Sequence, residues 1–331
     1  MTARVAVLLT GGTIDSVGTD RLDLAWYFES GQRLGSGDLL ARIPEIHQFA
    51  KVEEIPFRRL PSHALVGTDW LDLACTIQDL FDRDQADGVV VTHGTNTLEE
   101  TAYFLHLVLK SDRPVVLVGS MRPSSGMSFD GDLNLFNAIR VAADPASRGR
   151  GALVVLNDTV LSARDVTKPA TMRLETFQAR DLGPLGYADG DGRITYYHRP
   201  DRRHTVESVF RTGDLAVLPR VDVVVSYVGS DGVAIDAFVQ AGAKGLVSAA
   251  TGGGRPSPAE DAALDRATHA GVVVCQSSRV GSGRVVRAPS LRKRGIVAGD
   301  NLTPWKARVL LALALTRTSD ADEIQGFFET Y

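Results

Sequence analysis

Three short turns of this sequence place hydroxyl or amine side chains directly after apolar runs. The first, "LLTGGTIDS", brings Thr13 behind two glycines, and the second, "VVVTHGTNTLEE", carries Thr95 among further threonines. The third, "NDTVLSARDVTK", ends at Lys168. A hydroxyl is a weak nucleophile until a base or a positive neighbour lowers its pKa, and a partly desolvated lysine can supply that help. The turns therefore indicate hydroxyl-based nucleophilic chemistry, provided that the fold brings them together.

Each turn also has a purely structural interpretation. Two glycines and Thr13 fit any tight turn between a strand and a helix, and the spacing of a dinucleotide-binding G-x-G-x-x-G is absent. Thr95, Asn96 and Thr97 are residue types that cap helices, although one cap is usually enough. His93 alone is more typical of a packed or capping residue than of a catalytic one. A helix N-terminus at this point would also favour a bound carboxylate.

Short apolar runs without alternation precede these turns and recur along the chain. Such runs fit strands that are covered on both faces, which is typical of parallel strands in an α/β protein. The runs span residues 5–9, 88–92, 114–119, 151–156, 221–227, 245–250 and 271–278. Ligands of such sheets bind beyond the carboxyl ends of the strands, where the three turns lie.

The apolar runs fall into two groups, which predicts two α/β domains. We expect a larger N-terminal catalytic domain with a doubly wound, flavodoxin-like sheet over residues 1–205. A linker over 206–220 and a smaller C-terminal domain with a parallel sheet over 221–331 would follow. The polar stretch 186–207 is predicted to be a hairpin or part of the linker. The apolar segment 303–316, with a proline near its start, predicts a helix against the second sheet.

The overall composition narrows the class of function. A net charge of -4 leaves no basic field for nucleic acid or an anionic membrane. Cys75 and Cys275 are the only cysteines, which argues against a disulfide framework or a cysteine metal site. No apolar run reaches the roughly 18 residues of a membrane span, and the N-terminus lacks the pattern of a signal peptide. We therefore expect a cytoplasmic protein.

Together the three turns resemble the bacterial-type L-asparaginase family. The stretch "TGGTI" is similar to the first threonine motif of that family, "THGTNTLEETA" to its second, and "NDTVLSARDVTK" to its lysine segment. The stretches 119–139 and 306–316 also resemble the family. The motifs occur in the family's order and cover nearly the whole chain.

The resemblance implies hydrolysis of a small side-chain amide to a carboxylate and ammonia, with L-asparagine as the default substrate and without metal or organic cofactor. It implies that Thr13 is the nucleophile that forms an acyl-enzyme. Thr95 and Lys168 would form a second cluster that activates water or tunes the nucleophile, and Tyr27 matches a tyrosine on the loop after the first motif. The family also implies a homo-oligomer, a dimer or tetramer, with sites near the subunit interface.

The substrate pocket implied by the resemblance departs from the family at several positions. Ser62 matches the serine that holds the substrate α-carboxylate, and backbone N–H groups from Gly94 to Asn96 would complete that pocket and stabilise an oxyanion. Asn96 stands where the family has an aspartate that takes part in catalysis and helps to bind the α-ammonium. His63 stands where the family usually has a glutamine.

Two further departures lie in the C-terminal part. The family's third ammonium ligand, a glutamate lent by the neighbouring subunit, falls within "GRVVRAPSLRKRG" (283–295), which contains no acid. Arg255 lies near the position of an asparagine of the family. Several interpretations stay open. The match of this stretch to the family could be shifted by several residues, the basic run could be merely solvated, and Asn96 could be engineered to trap substrate. Alternatively, the anionic ligands of the substrate ammonium have been lost.

These departures keep more than one function open beside the asparaginase. One is an amidase for a related acid amide that lacks a free α-ammonium. Another is a catalytically weakened homologue that only binds a ligand. Asn96 supports this interpretation, whereas the presence of Thr13, Thr95 and Lys168 argues against it. A glutaminase subunit that delivers ammonia to tRNA-linked synthesis is disfavoured, because the chain has no docking domain and no basic field.

Overall fold

The computed structural model describes residues 2–331. Its internal contacts divide the chain into two compact units, the first ending at Thr212 and the second covering Gly213–Tyr331. Two short 3-10 turns, Thr205–Glu207 and Thr212–Asp214, lie in the segment where the sequence predicts a linker. Within residues 2–331, no helix has the length and apolar character needed to cross a bilayer.

The first unit is built on one mixed sheet. Its strands are β1 (Ala3–Leu9), β2 (Ala50–Ile55), β3 (Gly88–Thr92), β4 (Val115–Val118), β5 (Ala152–Leu156), β6 (Thr159–Ser162), β7 (Gly186–Ala188) and β8 (Ile194–Tyr196). They are ordered β2-β1-β3-β4-β5-β6-β7-β8. The first five of these are parallel, and their order 2-1-3-4-5 is that of flavodoxin-like proteins, which confirms the predicted fold class.

An antiparallel extension completes this sheet. Strand β6 turns back on β5 through Asn157 and Asp158, whose φ angles of 50° and 60° suit a two-residue hairpin turn. Strands β7 and β8 also pair antiparallel, so the hairpin interpretation of the 186–207 stretch is confirmed. Strand β6 was not predicted, because four residues show too little pattern to separate a strand from a loop.

Helices α1 (Asp38–Ala41), α2 (Gly67–Asp82), α3 (Leu98–Val108) and α4 (Gly131–Ala143) belong to this unit. Val5, Val7 and Val90 face one side of the sheet and pack with Leu135 and Ile139 of α4. Helix α3 contacts β5 and α2. The central strands are therefore buried along their whole length, as the unbroken apolar runs predict.

The second unit has a smaller sheet with order β12-β11-β10-β9, and every pairing in it is parallel, as predicted. Its strands are β9 (Val221–Val225), β10 (Gly245–Ala250), β11 (Val273–Ser278) and β12 (Val297–Ala298). Its helices are α5 (Val233–Gln240), α6 (Pro258–His269), α7 (Pro289–Lys293), α8 (Pro304–Ala314) and α9 (Ala321–Thr330). Helix α8 contacts β9, β10 and β11, which confirms the helix predicted over 303–316.

Candidate active site

Two glycines bring the first two chemical turns into contact. Strands β1 and β3 are parallel neighbours, so the turns that follow them leave the same edge of the sheet. The backbone of Gly12 has a φ angle of 120°, and a Cβ there would lie only 2.6 Å from the Cα of Gly94. Any larger residue at position 12 would force the turns apart. The glycines therefore set the spacing between Thr13 and Thr95.

A cleft of about 670 Å³ opens at this edge of the first unit. It is lined by every residue that the sequence singles out for the site: Thr13, Tyr27, Ser62, His63, Gly94, Thr95, Asn96 and Lys168. These residues come from four separate segments of the chain. The fold thus collects the candidate residues in one place.

The first hydroxyl pair consists of Thr13 and Tyr27. Thr13 opens a short 3-10 turn after β1, and Tyr27 opens another on the loop that follows. The Thr13 Oγ1 and the Tyr27 hydroxyl oxygen are 2.9 Å apart, and either can donate the hydrogen bond. Tyr27 is therefore placed to exchange a proton with the Thr13 hydroxyl.

The second pair joins Thr95 to Lys168. The Nζ of Lys168 donates to the Oγ1 of Thr95 at 2.7 Å, across 73 residues of sequence. Burial lowers the pKa of Lys168, and the nearby Glu99 carboxylate opposes part of that shift. A lysine held closer to neutrality can accept a proton from a hydroxyl. This pair is a base-and-hydroxyl arrangement of the kind that the sequence turns suggested.

Glu99 is a residue that the sequence analysis missed. Its carboxylate is buried, and its Oε1 accepts the backbone N–H of Lys168 at 3.2 Å. The available signal was its position in the first turn of the helix that follows Thr95. Glu99 both anchors the loop of Lys168 and supplies negative charge beside its ammonium.

The remaining threonine of the second turn does not cap its helix. Thr97 occupies the position before α3, yet its side chain makes no capping hydrogen bond. Its Oγ1 instead donates to the carbonyl of Ser62 at 2.8 Å. The capping interpretation of Thr97 is therefore wrong, because a distant carbonyl competes for its hydroxyl. The contact fixes the loop that carries Ser62.

Ser62 presents an unused hydrogen-bonding group to the cleft. Its Oγ is buried and, within residues 2–331, has no hydrogen-bond partner. It lies so near Gly94 that a Cβ on that glycine would come within 2.6 Å of it. Buried polar atoms are normally satisfied, so an open hydroxyl here suits a ligand.

His93 is packed rather than catalytic, in line with the structural interpretation of this residue. It is almost completely buried, and its Nδ1–H can donate to the carbonyl of Gly94 at 2.8 Å. Burial lowers its pKa to about 4, so the imidazole is neutral at physiological pH. Its position supports the backbone of the turn.

Asn96 and His63 are exposed side chains of the same cleft. The basic stretch 283–295 and Arg255 belong to the second unit. Four arginines of that stretch form ion pairs with carboxylates of their own unit: Arg284 with Asp300, Arg287 and Arg292 with Asp322, and Arg294 with Asp261 and Asp265. These guanidinium groups therefore have internal partners.

No group of three or more histidine, cysteine or carboxylate side chains within residues 2–331 is arranged to hold a metal ion.

Comparison with known proteins places this geometry in a family. The family model described as Asparaginase, N-terminal matches residues 4–202, and that of the Glutaminase/Asparaginase C-terminal domain matches residues 220–328. The chain is 43% identical over 329 residues to L-asparaginase 2 of Escherichia coli, covering 99% of this chain and 93% of the relative. It is 41% identical over 327 residues to L-asparaginase 2 of Bacillus subtilis, covering 99% of this chain and 86% of the relative.

A solved structure shows the same fold. The crystal structure of a probable cytoplasmic L-asparaginase from Campylobacter jejuni superposes with a TM-score of 0.95 at 39% identity, covering 99% of this chain and 100% of that one. Fold and cleft thus define a hydrolase of two α/β units. The chain belongs to the asparaginase family and is an amidohydrolase.

Proposed function

We propose that this protein hydrolyses the side-chain amide of L-asparagine, or of a close analogue, to a carboxylate and ammonia through a threonine acyl-enzyme. The observation that carries the proposal is that one cleft holds a hydroxyl–hydroxyl pair, Thr13–Tyr27, and a hydroxyl–amine pair, Thr95–Lys168. The names of the relatives, L-asparaginase and glutaminase-asparaginase, support the same substrate class.

In the first half of the reaction, the Oγ1 of Thr13 attacks the amide carbon. The Thr13 hydroxyl proton passes to the Tyr27 oxygen, which lies 2.9 Å away, as the Tyr27 hydroxyl proton passes to the leaving nitrogen. The C–N bond breaks, ammonia departs and an ester joins Thr13 to the acyl group. Backbone N–H groups of the Gly94 to Asn96 segment stabilise the negative charge that develops on the carbonyl oxygen.

In the second half, water cleaves this ester. The Thr95 hydroxyl, bonded to Lys168, accepts a proton from the attacking water and passes its own proton to the amine. The lowered pKa of Lys168 favours this relay, because a neutral amine is a base. The ester C–O bond then breaks, the Thr13 oxygen takes up the proton that the amine accepted, and the product acid leaves and ionises in solvent.

The Ser62 hydroxyl binds the carboxylate end of the substrate, away from the amide that is cleaved. Its buried and unpartnered Oγ is suited to donate to a carboxylate, and the N-terminus of α3 favours an anion at the same place. His63 and Asn96, which line the cleft beside it, contact the part of the substrate next to that carboxylate.

We also infer that the protein is a homo-oligomer, a dimer or tetramer, with sites near the subunit interface. The second unit exposes a group of apolar side chains that monomers usually cover: Val225, Tyr227, Val228 and Val233. Light scattering coupled to size exclusion tests this, and a monomer at micromolar concentration contradicts it. A cytoplasmic location is supported by the name of the Campylobacter jejuni structure, although a relative from Haemophilus influenzae is named periplasmic.

The test of the proposed activity is release of ammonia from L-asparagine and from simple acid amides. We expect stoichiometric ammonia and carboxylate without added metal or cofactor. A protein that binds these amides without releasing ammonia would instead be a ligand-binding homologue.

A further inference from the structure

The charged side chains that line the cleft are all cationic. Arg33 contributes a permanent positive charge, and Lys168 and His63 add an amine and an imidazole. Within residues 2–331 no aspartate or glutamate lines this cleft. A site with this balance attracts anionic groups and repels ammonium groups.

Two buried carboxylates, Asp15 and Glu99, face basic side chains of this unit and do not line the cleft. Asp15 is buried, with its oxygens 3.6 Å from Arg33 and 3.9 Å from Arg59. Glu99 is buried beside Lys168. Each carboxylate faces a basic side chain of this chain, and neither lines the cleft in which a substrate ammonium would lie.

One buried donor of the cleft has no acceptor. The Nη1 of Arg33 already faces a carboxylate, since it lies 3.6 Å from the Oδ1 of Asp15. The Oγ of Ser62, in contrast, is buried without a hydrogen-bond partner among the described residues. Leaving a donor of this kind unsatisfied is unfavourable, and a carboxylate accepts from a hydroxyl. The cleft therefore offers a binding group for one end of an anionic amide.

We propose that the preferred substrate is an amide that carries a carboxylate and has no free ammonium group, such as the half-amide of a four-carbon dicarboxylic acid. This rests on the proposed function, because the same Thr13 performs the hydrolysis. It deepens that function by assigning specificity to Asn96, which is exposed in the cleft and contributes a neutral amide. An amide oxygen can accept a hydrogen bond from an ammonium, but it supplies no compensating charge.

The matched substrates for the test are succinamate and L-asparagine, which differ only in the α-ammonium group. We expect the wild-type kcat/KM for succinamate to exceed that for L-asparagine by at least about tenfold, in line with the loss of one charge-assisted hydrogen bond. N-acetyl-L-asparagine, in which a larger neutral amide replaces the ammonium, should also be hydrolysed faster than L-asparagine. A tenfold preference for L-asparagine over succinamate overturns the proposal and points to a carboxylate supplied by a second copy of the chain.

Variants of Asn96 separate charge from shape. Asn96→Asp should raise kcat/KM for L-asparagine about tenfold and lower it for succinamate, since the new carboxylate then lacks a partner. Asn96→Ala, the control without added charge, should not reverse the preference. A gain on both substrates with Asn96→Asp would mean that the carboxylate improves the catalytic groups, and would overturn the assignment of specificity.

The failure of this proposal is distinguishable from failure of the proposed function. Ammonia release from L-asparagine alone leaves the amide hydrolysis standing and overturns the substrate preference. If no amide in the series releases ammonia, the proposed function itself is wrong.

Discussion

Two turns of this protein follow buried parallel strands and contain threonine, yet their hydroxyls bond to different kinds of partner. After β10 in the second unit, the Oγ1 of Thr251 donates to the carbonyl of Arg255 at 2.7 Å, so the turn closes on itself. After β3 in the first unit, Thr95 bonds to Lys168 and Thr97 to Ser62. The hydroxyls of the turn after β3 bond to distant segments of the chain. The Thr251 hydroxyl after β10 bonds within its own turn.

The cations of the two regions differ in the same way. The arginines of the 283–295 stretch pair with carboxylates of their own unit, and the pair of Arg292 with Asp322 is exposed at both ends, where an ion pair contributes little to stability. Lys168 is partly buried, with its Nζ on a hydroxyl and Glu99 as the nearby carboxylate. A strand-end turn therefore becomes a reactive site when its hydroxyl contacts a desolvated amine from elsewhere in the fold.

The largest effect that would test this comparison is expected from Thr13. Thr13→Ala removes the proposed nucleophile, so turnover should fall by roughly 10⁴-fold or more while the circular dichroism spectrum stays unchanged. Thr251→Ala is the matched control in the turn that closes on itself, and it should retain wild-type turnover. Comparable losses in both variants would break the distinction between the turns.

The next effect concerns the amine. Lys168→Met keeps most of the side-chain volume and removes the charge, so kcat should fall by about 10²–10⁴. Lys293→Met, in the exposed basic stretch, is the control and should leave kcat unchanged. Wild-type activity in Lys168→Met would show that the contact with Thr95 has no part in catalysis.

A smaller effect is expected from Glu99, and it is a shift along the pH axis. The carboxylate raises the pKa of Lys168 against the lowering effect of burial, so Glu99→Gln should lower that pKa further. Because the neutral amine is the active base, kcat rises as pH increases through this pKa. The rising limb of the plot of kcat against pH should therefore move to lower pH in the variant. The value of kcat on the alkaline plateau should stay within about twofold of wild type, because glutamine can still accept a hydrogen bond from the backbone N–H of Lys168.

The control for this shift is the neighbouring residue. Glu100 lies about 100° further round the helix, and Glu100→Gln should leave the limb where it is in the wild type. A limb that moves to higher pH in Glu99→Gln, or does not move, would contradict the role assigned to Glu99.

The sequence predicts the central strands and the chemical turns well, because both depend on local patterns. The runs 88–92 and 245–250 become β3 and β10 with the predicted bounds. Strands β6 and β12 were missed, since each is too short to show a period. Strand β2, "AKVEEI", was missed because its charged residues hide the apolar positions of an edge strand.

The side-chain partners in the site could be predicted only in part. The family resemblance groups Thr95 with Lys168, but the bond itself depends on strand order and on a loop 73 residues away. The hydroxyl of Thr97 could not be assigned from the sequence, because capping and the Ser62 carbonyl compete for it. Glu99 was missed for a similar reason. Its role depends on Lys168, which lies far away in the sequence and comes next to it only in the folded chain.

The most direct test of the account is to locate the acyl group by mass spectrometry after acid quenching of a slow substrate. Trypsin separates the two threonines, because Thr13 falls in the peptide 5–21 and Thr95 in the peptide 84–110. We predict an adduct with the mass of the substrate minus ammonia, on the first peptide and at Thr13 on fragmentation. An adduct at Thr95 alone would contradict the central claim and reverse the roles of the two hydroxyl pairs.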